Sequence, residues 1–318
     1  MIAAVARRTA MSLVTLLLLA VFIFVATEIL PGDALDVSLT ADELAMIKPE
    51  RLAEMKQALG LDRPALERLG SFLAGVVQFD FGRTIISKAR VVDIIGYPIR
   101  NSLLLAGVVM ALALPLAALL GTLAAVFYRR SVDAVVSTGA IIGYSIPEFV
   151  IGTVLVMLFA VLWPIFPATI TAATNDPAAI LLASAPLPVA TILIGSIAYL
   201  ARILRVGMIE ALASAAVERL RLTGIPEWRI VLVHALPAAI IPSLSAVALY
   251  AASLVSGIVV VELVFAYPGL GQELVRAVSR REVHVIQAIA LLSAAVVVGL
   301  NLVADLAILA LDPRTRGS

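Results

Sequence analysis

Apolar residues gather along this chain into six long stretches, separated by short polar or basic segments and by one long mixed region near the start. The first stretch, 11–30, follows Arg7 and Arg8 and approaches the roughly 20 residues a helix needs to cross about 30 Å of hydrocarbon. No clean small-x-small cleavage signal follows it, so an uncleaved first span is expected rather than a signal peptide. Further spans are expected at 102–127, at 132–162 with Gly143 and Pro147 inside, and at 178–200 with Pro186 and Pro188 near its start. The last two fall at 238–261 and 283–311. Six spans place both ends of the chain on one side of a bilayer.

Composition agrees with this pattern and removes several classes of function. With 62% hydrophobic residues, 14% charged residues and a mean hydropathy of +1.09 over 318 residues, the chain has too few charges to cover a water-soluble globule. An all-α membrane protein is expected. A formal net charge of +1 supplies no field for nucleic acid. The absence of cysteine removes thiol catalysis, disulfides and thiolate metal sites. The two histidines, His234 and His284, lie 50 positions apart, so no metal site is expected.

Basic residues in short loops stay on the cytoplasmic face. Arg7, Arg8, Arg129, Arg130, Arg202, Arg205, Arg219, Arg221, Arg229, Arg314 and Arg316 fall on one side, whereas the opposite short segments carry only Arg276, Arg280 and Arg281. Both termini are therefore expected in the cytoplasm. Residues 31–100, with nine basic and ten acidic residues, are too long and too balanced for that rule. They read as an external helical insertion, with amphipathic helices expected at 42–59 and 64–78. The expected organisation is thus a first transmembrane helix over 1–30, the insertion over 31–100, and a core transmembrane domain over 101–318.

Within that core, the loop at 202–237 is neither apolar enough to span nor polar enough to be disordered. Gly224 followed by Pro226 predicts that one helix ends near Thr223 and another begins near Glu227. Such a helix-turn-helix can lie along the inner surface, with Glu218 outward and Ala215, Leu220 and Leu222 offering apolar area to a partner. The sequence contains no G-x-x-x-x-G-K-[ST] phosphate-binding loop. The chain is not expected to bind ATP or to be an enzyme.

The spacing of this loop, Glu218, then Gly224 six residues on, then Leu236 and Pro237, resembles the EAA loop of membrane subunits of binding-protein-dependent ABC importers. Other segments resemble one branch, the dipeptide, oligopeptide and nickel permeases. They are Leu30-Pro31-Gly32-Asp33, Leu59-Gly60-Leu61-Asp62-Arg63-Pro64, Phe79-Asp80-Phe81-Gly82-Arg83 and Gly143-Tyr144-Ser145-Ile146-Pro147. Phe265-Ala266-Tyr267-Pro268-Gly269-Leu270-Gly271 and Leu311-Asp312-Pro313-Arg314 complete the set, which runs in order over nearly the whole chain.

The resemblance implies a six-helix type I importer permease, resident in a bacterial inner membrane. Its implied partners are a second homologous permease in a heterodimer, two cytosolic ATP-binding subunits carrying ATP-Mg, and an external solute-binding protein. By position, Glu218, Arg219, Leu220, Arg221, Leu222 and Thr223 are implied to form the helix that docks on an ATPase. Gly224 is its turn, and Leu236-Pro237 the return into the fifth span. Arg219 and Leu220 stand where the family usually carries small residues. Asp80, Arg83, Tyr267 and Gly269, within the external motifs, are the implied docking positions for the binding protein. Peptide is the leading solute, with nickel chelates, opines and sugars as alternatives.

Carboxylates inside apolar spans carry their own information, because an ionised side chain at mid-membrane costs roughly 3 kcal/mol. Glu28 and Glu262 lie near span ends and are expected to reach the interface. Glu148, directly after Pro147, is a candidate for the transport pathway together with Ser145 and Pro147, with buried structural pairing an equal alternative. Asn301 and Asp305, one helical turn apart, suit a polar contact between subunits and, secondarily, a place on the pathway. Ser145 has no intramembrane histidine to activate it as a nucleophile. His234 is assigned structure. The rival reading from another class is an ion-coupled secondary transporter, which the Pro- and Gly-interrupted spans permit.

Overall fold

The computed structural model describes residues 2–28, 63–84 and 88–311. The expected helix at 42–59 and the motifs at 30–33, 59–62 and 312–314 lie outside the described residues. The described chain is helical, its only ladder contact being an isolated antiparallel bridge between Arg83 and Arg90.

The first helix, α1 (Ile2–Glu28), has apolar residues on all sides and lies against the last, α12 (Val283–Leu311). Two polar contacts fasten them. Gln287 Nε2 donates to Thr27 Oγ1 at 2.6 Å, and Arg8 forms an ion pair with Asp305. The short helix α2 (Ala65–Val77) starts directly after Pro64, whose missing N–H costs nothing at a helix N-terminus. It rests on α1 through Phe24 and Phe72, with ring centroids 5.7 Å apart, and Arg68 lies over the Phe24 ring.

Helix α3 (Val91–Val126) has 36 residues and is therefore about 54 Å long, well beyond the hydrocarbon thickness. The second span was expected to begin at 102 and the insertion to end at 100. In the structure residues 91–100 already belong to the spanning helix, because Pro98 sits within it without ending it.

The third stretch, expected as one span over 132–162, is two helices instead. Helix α4 (Ser131–Ser145) and helix α5 (Glu148–Val156), the latter extended by a π-helical turn over Met157–Leu162, meet at a bend of 96°. Pro147 stands just before α5 with extended backbone, ψ 139°, and lacks the N–H that would continue the α4 ladder. Among the described residues five helices are individually long and apolar enough to cross a membrane, and this bent pair makes up to six.

After the short α6 (Ala178–Ala183), α7 (Pro186–Leu212) is the central element of the bundle. Pro186 opens this helix rather than interrupting one that began at 178. Small buried residues bring α3 and α7 together: Ala113, Ala117 and Gly121 on one and Ala201 on the other, where a side-chain carbon on Gly121 would stand 2.7 Å from Ala201 O. Where lipid competes with no hydrophobic penalty, such close van der Waals approach is what holds helices together. Leu105, Val109, Leu187, Ile192, Leu254 and Ile258 continue this core onto α10 (Leu236–Val264).

Two short helices precede α10: α8 (Ala215–Leu222) and α9 (Glu227–Arg229), with a π-helical turn over Ile230–Ala235 joining α9 to α10. Helix α11 (Leu270–Ser279) lies between α10 and α12, its buried side packing with Val91, Ile95, Val285 and Ile289.

Candidate coupling loop and transport pathway

The loop-bearing end of the bundle is built around Gly224. Helix α8 starts at Ser214, whose Oγ accepts the Val217 N–H, and it closes with Thr223 Oγ1 donating to Leu220 O at 2.8 Å. The Ile225 N–H then reaches back to Leu220 O at 3.2 Å while Gly224 takes φ +80°, the left-handed geometry that an L side chain resists. Glu218, Arg219, Arg221, Leu222, Thr223 and Gly224 are exposed, Leu222 at 82%, whereas Val217 and Ile230 are buried. One face of the elbow is therefore anchored in the bundle and the other is open. Leu220 is half-buried.

Sequence reasoning gave Glu227 only as a helix start. Its carboxylate accepts from Arg221 Nε at 2.6 Å and from Nη2 at 3.4 Å, clamping α8 to α9 across the Gly224 turn. The same contact holds the Arg221 guanidinium still more firmly protonated than usual. Arg221 Nη1 also donates to Leu212 O at 3.4 Å, so one side chain touches the end of α7, α8 and α9. Leu236 and Pro237 open α10, and the chain from Glu227 to Val264 is continuously helical. Beside the elbow a groove of about 790 Å³ runs between α3 and this helix, lined by Leu119, Leu123, Val126, Trp228, Leu232 and Leu236.

The second region lies at the 96° break. Ser145 and Pro147 flank the bend and are exposed, and Glu148 is half-buried at the start of α5. Three tyrosines that the sequence reading did not connect line up beside it. Tyr144 and Tyr199 have centroids 5.5 Å apart, Tyr199 and Tyr250 stack at 4.8 Å, and the Tyr250 hydroxyl donates to Ser196 Oγ at 2.9 Å. Asn301 and Asp305 do not join this group. Asn301 Nδ2 donates to Val297 O on its own helix at 3.0 Å, and Asp305 is engaged by Arg8 of α1. The ion pair is a contact within the chain, where a contact between subunits was expected.

At the opposite end, Glu262 overturns the expectation that it reaches the interface, being 0% exposed. Ser102 Oγ donates to its Oε1 at 2.5 Å and the Gly271 N–H to its Oε2 at 2.6 Å, while the Leu270 N–H donates to Ser102 Oγ at 2.8 Å. A buried carboxylate is tolerated only with such donors. Tyr267 and Gly269, expected among the docking positions, are buried within this assembly. Tyr267 is fully buried, its hydroxyl donating to Asn101 O at 2.9 Å, and burial pushes that hydroxyl's pKa above the ordinary tyrosine value. A side-chain carbon on Gly269 would stand 2.1 Å from Glu262 Oε1. Asp80 and Arg83 remain exposed, Asp80 Oδ1 accepting the Gly82 N–H and Arg83 Nη1 donating to Lys88 O. The side chain of Glu28 lies outside the described residues. Among the described residues no three His, Asp or Glu side chains gather as a metal site requires.

A polytopic helical bundle, with an elbow exposed at one end and one span bent by 96°, has the build of a multi-pass membrane protein. The chain belongs to the family of binding-protein-dependent transport system inner membrane components, which it matches over residues 117–317, and residues 1–116 match that family's N-terminal region. It is a multi-pass permease component of an ABC transport system; hydrolysis of ATP falls to a separate subunit. The chain is 30% identical to a putative peptide transport system permease protein of Brucella abortus over 99% of both chains. It is also 29% identical to the dipeptide transport system permease protein DppB of Escherichia coli, over 98% of this chain and 97% of that one. With the DppB of Bacillus subtilis it shares 27%, over 95% and 94%. Neither comparison supports an ion-coupled secondary transporter.

Proposed function

We propose that this chain forms half of the translocation pathway of a bacterial peptide importer. Its partners in this reading are a second, related permease, two cytosolic subunits that bind ATP-Mg, and an external solute-binding protein. Both termini face the cytoplasm, in keeping with the arginines around Arg7, Arg129, Arg219 and Arg229. Peptide is favoured over nickel chelates, opines and sugars by the relatives named above.

The observation that carries the reading is the unbroken mechanical line at the loop end. Glu218 to Thr223 offer an exposed helix to an ATPase, Arg221 and Glu227 clamp that helix to α9, and α9 runs without interruption into α10. Nucleotide binding shifts a gate only if it favours one state, and a stiff element is needed to carry that preference 20–40 Å. Leu236-Pro237 then marks the return into the membrane. Ser145, Pro147 and Glu148, at the broken span, form the part of the pathway contributed by this chain, and Asp80 and Arg83 are surface groups for the binding protein.

The test is ATP-driven peptide uptake in proteoliposomes holding this chain with its partner permease, ATPases and binding protein. Uptake should require all components. Glu218→Lys and Gly224→Pro should insert and assemble normally yet uncouple ATP hydrolysis from uptake; wild-type uptake in both, or uptake under an ion gradient without ATP, would overturn the proposal.

A further inference from the structure

Two opposite charges near the broken span have no counter-ion among the described residues. Glu148 is half-buried, yet among the described residues its carboxylate accepts no hydrogen bond and meets no cation. Its oxygens face two glycines: a side-chain carbon on Gly195 of α7 would lie 3.9 Å from Oε1, and one on Gly257 of α10 3.9 Å from Oε2. The space beside the carboxylate is thus kept clear from both neighbouring helices. Arg202 of α7 likewise meets no carboxylate among the described residues; its guanidinium lies over the Tyr144 ring, 5.5 Å from the centroid. The row Tyr144, Tyr199 and Tyr250 connects the two regions, Tyr144 carrying Arg202 at one end and Tyr250 bonded to Ser196, next to Gly195, at the other.

The spacing has a chemical meaning. Gly195 and Arg202 are seven residues apart on one helix, so the acidic and basic ends of the seam are separated by about 10 Å of helix rise. An extended peptide advances about 3.3–3.6 Å per residue, so two or three residues cover that distance. Tyrosine faces between the charges accept apolar, aromatic or cationic side chains without demanding any one of them.

We propose that this seam is a transit site for zwitterionic solutes, namely short peptides with free ends, whose ammonium group meets Glu148 and whose carboxylate meets Arg202. The proposal rests on the peptide-import reading and adds the groups that recognise the cargo. One charge contact at each end favours passage of a dipolar solute through a low-dielectric region, while the lack of any further fixed hydrogen bond lets it leave.

The complete transporter in proteoliposomes tests this with a tripeptide, its N-acetylated form and its C-amidated form. Selection by the binding protein cancels when each variant is compared with wild type on the same solute. Glu148→Gln should lower maximal uptake of the free tripeptide about tenfold, the worth of one charge-assisted contact, and leave the N-acetylated form within about twofold of wild type. Arg202→Gln should do the same with respect to the C-amidated form, and Glu148→Asp and Arg202→Lys should restore much of the loss. The KM, set by the binding protein, should stay constant.

Equal losses on free and blocked peptides, or none on either, would overturn the site. The former is expected if the two charges pair with the second permease. Because the chain has no cysteine, Ser145→Cys gives a readout independent of the binding protein. Maleimide labelling in the assembled complex should be slowed by free tripeptide and not by the doubly blocked form; equal protection by both, or protection by neither, would count against the site. A wild-type complex that imports another solute but no peptide overturns the peptide reading itself, and is told apart from failure of the seam alone, where wild type imports peptide and the variants do not discriminate.

Discussion

Arg205 grips Asp133 with two hydrogen bonds, Nε to Oδ1 at 2.5 Å and Nη2 to Oδ2 at 2.8 Å, joining the first turn of α4 to α7. Asp133 also accepts from the Arg129 N–H and from Ser137, so every lone pair that matters is occupied, and only 7% of its side chain is exposed. Removing one partner of such a pair strands the other charge, a larger loss than the pair's own net contribution. Asp133→Asn should therefore destabilise the folded chain by about 2–3 kcal/mol, and Ser137→Ala by about 1 kcal/mol or less. Detergent-titrated unfolding in mixed micelles gives the ranking; equal effects would reject the charge-stranding account.

The Arg221–Glu227 clamp is the opposite case. Its side chains are 45% and 62% exposed, so its contribution to stability should fall below about 1 kcal/mol. If it transmits force, Arg221→Glu and Glu227→Arg should each lower ATP-driven uptake severalfold while the amount of assembled complex is unchanged, and the double exchange should recover uptake. Loss of assembly in step with loss of uptake would make the clamp merely structural.

Gly269→Ala and Glu262→Ala probe the loop folded over the buried carboxylate. The first drives a methyl group into Glu262, whose buried position offers no retreat. The second leaves the Gly271 N–H and the Ser102 hydroxyl without their acceptor, at about 1–3 kcal/mol for a buried unsatisfied group. Both should raise protease sensitivity between Phe265 and Leu270. The double variant should be less damaged than the sum of the single ones, because removing the carboxylate makes room for the methyl.

Asp305→Asn should leave peptide uptake within about twofold of wild type, since its Arg8 partner ties α1 to α12 at a partly exposed site where an ion pair contributes little. An uptake defect as large as that of Glu148→Gln would return Asp305 to the pathway.

Features set by near neighbours were legible in the sequence. Gly224 and Pro226 act on their own backbone, so the end of α8 and the start of α9 followed directly from the sequence. What depended on distant partners was not. The donors that bury Glu262 come from Ser102, 160 positions away, and from Gly271 in the first turn of α11, whereas hydropathy placed Glu262 merely near a span end. Arg8 and Asp305 stand at opposite ends of the chain. Residues 132–162 read as one apolar run because hydropathy has no direction; only Pro147 hinted that the chain turns there. The tyrosine row was hidden because each ring passes for an ordinary apolar residue, although Tyr144, Tyr199 and Tyr250 are three of only six tyrosines in the chain.

The sharp turn after Ser145 bears on how the protein is made. Helix α4, at 15 residues, is about 22 Å long, too short by itself to cross the bilayer. The hydropathy of the whole segment suits a single straight pass, whereas in the fold its second half lies at 96° to its first. The helices against which α5 packs, α7 and α10, leave the ribosome after it, so the bend gains its packing partners only later in synthesis. Truncating synthesis before Pro186 should accordingly yield an orphaned intermediate in which this segment still stands upright.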